Sequence, residues 1–184
     1  MLIRRRTPPN RMELDDGTVL RLFTVDDADA LAKTVRDSLE HLRPWMPWAS
    51  DDQSADPAFQ RDRLARVIAG NEEWQYGLFS ADEARILGSF GLMTRRGPGT
   101  IEIGYFLAAH AVGHGYATRA AGALTEAARR VRGVREVLIY TDEANERSAA
   151  IPRRLGYRLD RTETRRAEAP AETDLTQVWV MPAK

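Results

Sequence analysis

Two glycines stand in the segment His110-Ala111-Val112-Gly113-His114-Gly115-Tyr116-Ala117-Thr118, between a strand-like stretch at 100–107 and a helix-like stretch at 116–131. Unpaired backbone N–H groups and the positive end of the helix dipole face a loop of this kind, which suits it to bind phosphate. Gly113 and Gly115 lack a Cβ, so the chain can turn sharply and an anion can approach the backbone closely. A glycine pair is also compatible with a simple turn, so the interpretation depends on the neighbouring elements.

The elements around this loop form a strand–helix–strand unit. The short apolar run at 137–141 follows the helix and is typical of a strand buried on both faces. A crossover of this type places the loop at the carboxyl end of the first strand, where open α/β sheets collect ligands. The spacing lacks the third glycine of a dinucleotide-binding fingerprint, and no Gly-Lys-Ser/Thr follows as in a P-loop.

Antiparallel strands flank this unit along the chain. Apolar and alternating runs predict further strands at 12–14, 19–23, 74–80, 85–93, 157–164 and 175–181. Helical spacing of apolar residues predicts helices at about 28–39, 57–69 and 145–155. We therefore predict an α/β fold with a mixed, mostly antiparallel sheet and a central parallel βαβ crossover.

Length and composition indicate one globular domain. The chain has 184 residues, of which 43% are hydrophobic and 29% charged, and its formal net charge is zero. We predict a single domain over 11–184 that follows a flexible arm at 1–10. Zero net charge gives no indication of nucleic acid or a membrane surface as a partner. Because no apolar run resembles a secretory signal or a membrane span, we predict a cytoplasmic protein.

Several kinds of chemistry are excluded by residue type. The sequence has no cysteine, which rules out a disulfide scaffold, a thiolate metal site and a cysteine nucleophile. The three histidines, His41, His110 and His114, are not spaced with carboxylates as metal ligands are, so we predict no metal. An acyl-cysteine intermediate is therefore impossible for any acyl-transfer reaction of this chain.

The glycine loop, taken with its neighbours, resembles the pyrophosphate-binding loop of the GNAT superfamily of acyl-CoA-dependent N-acyltransferases, whose pattern is Gln/Arg-x-x-Gly-x-Gly/Ala. Ile101-Glu102-Ile103-Gly104-Tyr105 is similar to the strand before that loop. Asn145-x-x-Ser148 and Ile151-Pro152-x-Arg154-Leu155-Gly156-Tyr157 resemble the second motif of the family. The segment 40–49 together with Asn145-x-x-Ser148 resembles the branch of RimJ/RimL-like ribosomal-protein N-terminal acetyltransferases. The resemblance covers about 12–181, and His110 departs from the pattern because Gln or Arg is usual there.

The resemblance implies acetyl-CoA as co-substrate and a defined pose for it. The strands at 100–107 and 137–141 would splay apart, with pantetheine between them and its amides paired to backbone groups of Phe106, Leu107 and Ala108. Asn145 would anchor pantetheine, and Ser148 would hydrogen-bond the thiol sulfur and return a proton to it. Many family members place a tyrosine where this chain has Pro152. A helix cap and a first-turn residue are the alternative roles for Asn145 and Ser148.

Glu102 is the best candidate, by the same resemblance, for a base that acts directly or through water, or for a carboxylate that binds the acceptor ammonium. Its alternation with isoleucines places it on the opposite sheet face from them, and an exposed strand carboxylate is the competing interpretation. Glu40 is the second candidate acid. Trp45 and Trp48 would line the acceptor side, although a packed loop anchored by aromatic residues explains them as well.

The expected reaction is acetyl transfer to a primary amine, by direct transfer in a ternary complex. An N-terminal α-amine has a pKa of about 8, against about 10.4 for lysine, so it needs little help to be neutral at pH 7. We therefore expect a protein or peptide N-terminus as acceptor. The alternatives are a small-molecule amine such as an antibiotic or polyamine, or a CoA-binding module without turnover. The expected assembly is a monomer or a homodimer.

Overall fold

One mixed sheet organises the chain in the computed structural model, which describes residues 7–70 and 72–183. Within these residues the sheet has eight strands in the order β1-β2-β3-β4-β5-β6-β8-β7. The strands are β1 (Arg11–Glu13), β2 (Val19–Leu22), β3 (Glu73–Phe79), β4 (Ile86–Met93), β5 (Thr100–Leu107), β6 (Glu136–Asp142), β7 (Arg158–Thr164) and β8 (Leu175–Pro182). Neighbouring strands are antiparallel except for the parallel pair β5 and β6, which confirms the predicted fold class.

The helices pack on both faces of this sheet. They are α1 (Ala28–Arg36), α2 (Leu39–Leu42), α3 (Pro57–Ala69), α4 (Tyr116–Arg129) and α5 (Glu146–Leu155). Helix α3 begins as its sequence predicts: the Asp56 carboxylate accepts a hydrogen bond of 2.8 Å from the Phe59 N–H, and Pro57 occupies the first turn. Helix α4 ends at Arg129, before the predicted 131, because the next two N–H groups bond three residues back and tighten the last turn.

Two apolar cores lie on opposite faces of the sheet. Ile101 and Ile103 of β5 pack with Leu124 of α4 in one core. Leu31 of α1 belongs to the other core, together with Phe79 of β3. Side chains alternate along a strand, so the residue between the two isoleucines points away from α4 and toward the side of the sheet that carries α1.

The parallel strands β5 and β6 separate at their carboxyl ends. Their pairing stops at Ile103 and Ile139, whereas β5 stays paired with β4 as far as Leu107 and β6 stays paired with β8 as far as Asp142. The predicted splay is therefore present. It leaves one edge of β5 open beside the end of β6, directly before the glycine loop.

The ends of the chain are described in part. Residues 1–6 of the predicted arm lie outside the described residues, as does Asn71 after α3. Pro9, in the remaining part of the arm, accepts a hydrogen bond of 2.9 Å on its carbonyl oxygen from the Tyr76 hydroxyl. Among the described residues, no helix has the length and apolar character required to cross a membrane.

Candidate active site

The glycine loop joins β5 to α4 through a short 3₁₀ turn at Ala109–Ala111. Gly113 has φ +88° and Gly115 has φ +75°, both in the left-handed region where a Cβ is disfavoured. Gly115 is the N-cap of α4, and no side chain caps the first turn of this helix. The loop therefore presents a helix N-terminus at the carboxyl end of β5, the arrangement that suits a phosphate group.

Side chains that the sequence did not single out hold this loop. Arg119, one turn into α4, donates 2.7 Å hydrogen bonds to the Asp16 carboxylate and to the His114 carbonyl. The position of Arg119 was the only indication of this role in the sequence. A basic residue in the first turn of a helix opposes the helix dipole unless an anion lies nearby. Ser38 accepts a 3.0 Å hydrogen bond from the Ala109 N–H and so ties the loop to the segment after α1.

The two histidines of the loop are exposed. The Nδ1 atom of His114 lies 3.0 Å from the Val112 carbonyl oxygen, and its ring stacks on Tyr116 with centroids 5.4 Å apart. His110 precedes Gly113 in the position where the family pattern has Gln or Arg. His110 and His114 thus belong to the exposed part of the loop that precedes the first turn of α4.

A cavity of about 680 Å³ opens on the sheet face opposite α4 and reaches the point where β5 and β6 separate. The structure brings six of the predicted site residues to its walls: Trp45, Trp48, Glu102, Phe106, Asn145 and Ser148. Trp48 packs on Phe106 with ring centroids 5.2 Å apart, so the segment at 40–49 covers the end of β5. Glu40 is exposed and is not among the lining residues.

The floor of the cavity contains two glycines on neighbouring strands. Gly91 of β4 and Gly104 of β5 are paired in register, and both line the cavity. A Cβ on Gly104 would lie 3.0 Å from Met93 Cε. The absence of a Cβ at both positions therefore leaves room for the Met93 and Glu73 side chains above the sheet, next to the splayed strands.

Some backbone groups at the end of β5 already form hydrogen bonds within the fold. The Ala108 N–H donates a 2.9 Å hydrogen bond to the Leu87 carbonyl, and the Ala108 carbonyl accepts one from the Ala111 N–H. Of the three residues predicted to pair with pantetheine amides, Ala108 thus has both backbone groups already bonded. Phe106 and Leu107 lie on β5 beyond the last residue that pairs with β6.

Ser148 is held at the cavity wall by its own helix and by β5. Asn145 caps α5, and its side-chain oxygen accepts a 3.1 Å hydrogen bond from the Ser148 N–H. Pro152 has no N–H, so the Ser148 carbonyl lacks its usual helical partner four residues on. The Tyr105 hydroxyl donates to that carbonyl at 3.3 Å and lies 3.4 Å from Ser148 Oγ.

Tyr105 keeps its proton near this serine. Burial raises the pKa of Tyr105 to about 12, although the hydrogen bond with Ser148 acts in the opposite direction. The phenol is therefore a hydrogen-bond donor throughout the neutral pH range. Sequence reasoning missed this contact, since the two residues lie on separate elements and meet only across the open edge of β5.

Glu102 is a buried carboxylate in an ion-pair cluster, which excludes the alternative of an exposed strand side chain. Arg95 binds both of its oxygens, and Arg96 Nε lies 2.5 Å from Oε2. Burial by itself would raise the pKa of Glu102, but the hydrogen bonds and charges of the two arginines outweigh it and lower the pKa. A role as proton acceptor would first require these ion pairs to open.

Glu73 supplies a second carboxylate in the same cavity. It is paired in register with Met93 on β4, which is in turn paired with Glu102 on β5, so the three side chains share one face. Its Oε1 atom lies 3.4 Å from the position of a Cβ on Gly91, above the glycine floor. No ion pair within 4 Å joins Glu73 to any described residue.

The part of the chain that the structure describes contains no cluster of metal ligands. No three histidine or acidic side chains there are arranged to hold a metal ion. The site instead consists of a phosphate-type loop, an open strand edge, a serine at a helix N-terminus and a cavity with acidic and aromatic walls.

A splayed parallel pair, a glycine loop on a helix N-terminus and an adjoining cavity are together typical of an acyltransferase of the GNAT type. Residues 18–158 match the acetyltransferase (GNAT) domain family, and the chain belongs to this family. The protein is thus an N-acetyltransferase, as its loop and second motif predict.

Particular relatives are found among ribosomal acetyltransferases. The Bacillus subtilis protein named "Putative ribosomal N-acetyltransferase YdaF" is 27% identical over 152 residues, which cover 79% of this chain and 80% of that protein. The ribosomal-protein-S5-alanine acetyltransferase of Vibrio fischeri has a TM-score of 0.84 at 18% identity, covering 94% of this chain and 96% of its own. Mycobacterium smegmatis RimJ, solved with a CoA disulfide, has a TM-score of 0.84 at 18% identity, covering 96% and 88%.

Proposed function

We propose that this enzyme transfers the acetyl group of acetyl-CoA to the N-terminal α-amine of a protein or peptide. The proposal rests on one observation, which is that the cavity reaches the open edge of β5. An amine in the cavity would face a thioester that lies along this strand. Phe106 and Ser148 line the cavity at this meeting point. The names of YdaF, RimJ and the S5-alanine acetyltransferase support a ribosomal protein as the acceptor.

The residues present support direct transfer in a ternary complex. The amine nitrogen attacks the thioester carbonyl, and a backbone N–H at the open edge of β5 would donate to the developing oxyanion. The C–S bond then breaks, and the Ser148 hydroxyl donates a proton to the departing thiolate of CoA. The ammonium loses one proton to solvent or to a carboxylate of the cavity before the attack. The nitrogen loses a second proton after the attack, and this proton returns to Ser148 through solvent, so the products are an amide, a thiol and one released proton.

Glu73 is the carboxylate that we assign to the acceptor ammonium. Its oxygen lies over the glycine floor without an ion-pair partner, whereas Glu102 is bound by two arginines. An unpaired carboxylate attracts an incoming cation and holds it beside the thioester before proton loss. Glu102 then has a positioning role, because it fixes Arg95 at the cavity wall and also binds Arg96, which lies outside the cavity lining.

We expect Glu73→Gln to raise the acceptor KM about tenfold, with the KM for acetyl-CoA unchanged, because a hydrogen bond between two charged groups becomes a weaker neutral one. Steady-state kinetics with a peptide acceptor measure both constants. The matched control is Glu72→Gln, since Glu72 is exposed and does not line the cavity. An unchanged acceptor KM in the Glu73 variant would remove this residue from the acceptor site.

The proposed reaction is tested by thiol release from acetyl-CoA with a panel of N-terminal peptides, an aminoglycoside and a polyamine. The chain contains no cysteine, so it contributes no thiol background. Turnover with peptides that begin with Ser or Ala, together with mass-spectrometric detection of the acetylated α-amine, supports the proposal. Turnover with the small amines alone would assign the enzyme to small-molecule acetylation, and CoA binding without turnover would favour a binding module.

A further inference from the structure

A second polar cluster lies in the cavity, on the side that faces α3. Arg63 of α3 donates through Nε to the Gln60 side-chain oxygen at 3.0 Å and through Nη1 to the Gln75 side-chain oxygen at 2.9 Å. Gln75 in turn donates to Ser89 Oγ at 2.8 Å, and Gln60 donates to the Ser54 carbonyl at 2.5 Å. All five residues line the cavity, and we call them the Arg63 cluster.

The guanidinium of Arg63 has unused donors and, among the described residues, no carboxylate close enough to form an ion pair. Arginine carries five N–H donors, of which the two glutamines occupy two, and both of these partners are neutral amides. Among the described residues no carboxylate lies within 4 Å of it, although Glu73 attracts it from farther away. Burial lowers the pKa of Arg63, and this effect outweighs the opposing attraction of Glu73.

Ser54 gives an independent indication of a ligand. Its Oγ atom is the one buried side-chain polar atom, in the described part of the chain, that has no hydrogen-bond partner. The residue is 4% exposed, lines the cavity and is linked to Arg63 through Gln60. A buried hydroxyl without a partner is costly, and such groups in native proteins usually receive one from a ligand or a water molecule.

The cluster lies one strand away from the reacting point. Ser89 of β4 is paired in register with Phe106 of β5, so their side chains share the face that carries the cavity. A group bound to the Arg63 cluster would therefore belong to the same molecule as the amine that reacts beside Phe106. Three N–H groups of the guanidinium, two on Nη2 and one on Nη1, remain available to the oxygens of a carboxylate.

We propose that the Arg63 cluster binds a carboxylate of the acceptor, so the preferred substrates are amines that carry a carboxylate a few bonds from the reacting nitrogen. This inference rests on the proposed acetyl transfer. It limits the substrates to amines with a nearby carboxylate, and this carboxylate can come from two sources. These are a peptide with an acidic side chain near its N-terminus and a free amino acid with its own α-carboxylate.

The proposal is tested with pairs of acceptors that differ only in whether they carry the carboxylate charge. One arm uses peptides with Asp or Asn at position 1, 2 or 3, and the other compares free amino acids with their amides. We expect kcat/KM to favour the carboxylate member of at least one pair by about tenfold or more, the effect of one charge-assisted hydrogen-bond pair. The arm in which the preference occurs identifies the source of the carboxylate.

Two arginine variants test whether the carboxylate preference depends on the Arg63 cluster. Arg63→Gln should abolish the carboxylate preference, because kcat/KM for the carboxylate member of each pair falls about tenfold further than kcat/KM for the neutral member. Arg61→Gln is the matched control on the same helix, because Arg61 is exposed, pairs with Asp29 and does not line the cavity. An equal loss for both members of each pair in Arg63→Gln would assign Arg63 a purely structural role and overturn the proposal.

Binding of the products separates this inference from the proposed reaction. N-acetylated peptides with Asp or Asn at each position are titrated calorimetrically into the CoA-loaded protein, which needs no turnover. If no acceptor is acetylated but the Asp peptide binds more tightly through Arg63, acetyl transfer to peptides fails and the carboxylate subsite stands. If peptides are acetylated and no pair shows a preference in kinetics or binding, the subsite fails and the reaction stands.

Discussion

Replacing Ser148 by alanine is expected to lower kcat about 100-fold and to change the KM for acetyl-CoA less than threefold, because proton donation to a leaving group contributes about 10²–10⁴ in rate. The serine side chain lies at the cavity wall where β5 and β6 separate. In the proposed mechanism it acts only when the thiolate departs, so its loss should affect the transition state more than cofactor binding. Steady-state kinetics with varied acetyl-CoA separate the two constants.

The Ser148 variant should fold normally, which keeps the kinetic result interpretable. The cap hydrogen bond of α5 uses the Ser148 backbone N–H, and the Tyr105 hydroxyl can still donate to the Ser148 carbonyl. Thermal unfolding checks this directly. An unchanged kcat in a folded variant would remove Ser148 from the mechanism.

A second variant tests whether Tyr105 positions the serine. Tyr105→Phe removes the hydroxyl that lies 3.3 Å from the Ser148 carbonyl and 3.4 Å from its Oγ. We expect a smaller loss in kcat, about fivefold, with no further loss when Ser148 is already alanine, because the two changes act on one group. Additive losses in the double variant would show that Tyr105 acts independently.

Glu102→Gln is expected to destabilise the fold by about 2 kcal/mol, because two arginines lose the carboxylate that they share in a buried position. Glu102 is only 5% exposed in its side chain, whereas Arg95 is 57% exposed and is partly hydrated on its own. This exposure limits the loss, since a solvated arginine does not bear the full cost of an unpaired charge. Urea unfolding at pH 7 measures the difference.

The matched control for Glu102 is a strand glutamate in an exposed ion pair. Glu163 of β7 lies 2.6 Å from Arg161, with 39% and 50% of their side chains exposed. Glu163→Gln should cost less than about 0.5 kcal/mol, as exposed pairs do. Equal losses in the two variants would show that the burial of Glu102 has no energetic consequence.

The stabilising effect of Glu102 should depend on pH in a defined direction. Its pKa is lower in the folded protein than in the unfolded chain, so the folded state favours the ionised form. The resulting stability is fully present above the unfolded pKa of about 4.3 and is lost as the pH falls through the folded value. The gap in free energy of unfolding between wild type and Glu102→Gln should therefore narrow below about pH 4.

The pH profile of catalysis distinguishes a positioning role from a base. A carboxylate with a lowered pKa does not titrate between pH 6 and 9, so Glu102→Gln should leave the shape of the kcat/KM profile for the acceptor unchanged in this range. Loss of a limb of this profile in the variant would instead identify Glu102 as the proton acceptor that the sequence suggested.

Short-range spacing determined most of the fold and the cofactor side of the site. Helix α3 begins at Pro57 because Asp56 and the proline after it define a helix start within a few residues. Gly113 and Gly115 adopt positive φ as their lack of a Cβ permits. Asn145 and Ser148 are related by the geometry of a single helical turn. These features were predictable because each depends on a local stretch of chain.

The tertiary structure alone decided which side chains meet and which remain free. The turn after β4 folds back onto β5 and brings Arg95 and Arg96 against Glu102. The carboxylate that the sequence suggested as a base is therefore paired with two arginines. Glu73 and Arg63 come to the same cavity from β3 and α3 through strand register and helix packing. Long-range contacts of this kind carry no local sequence signal, because register and side-chain direction are fixed only when distant segments pack together.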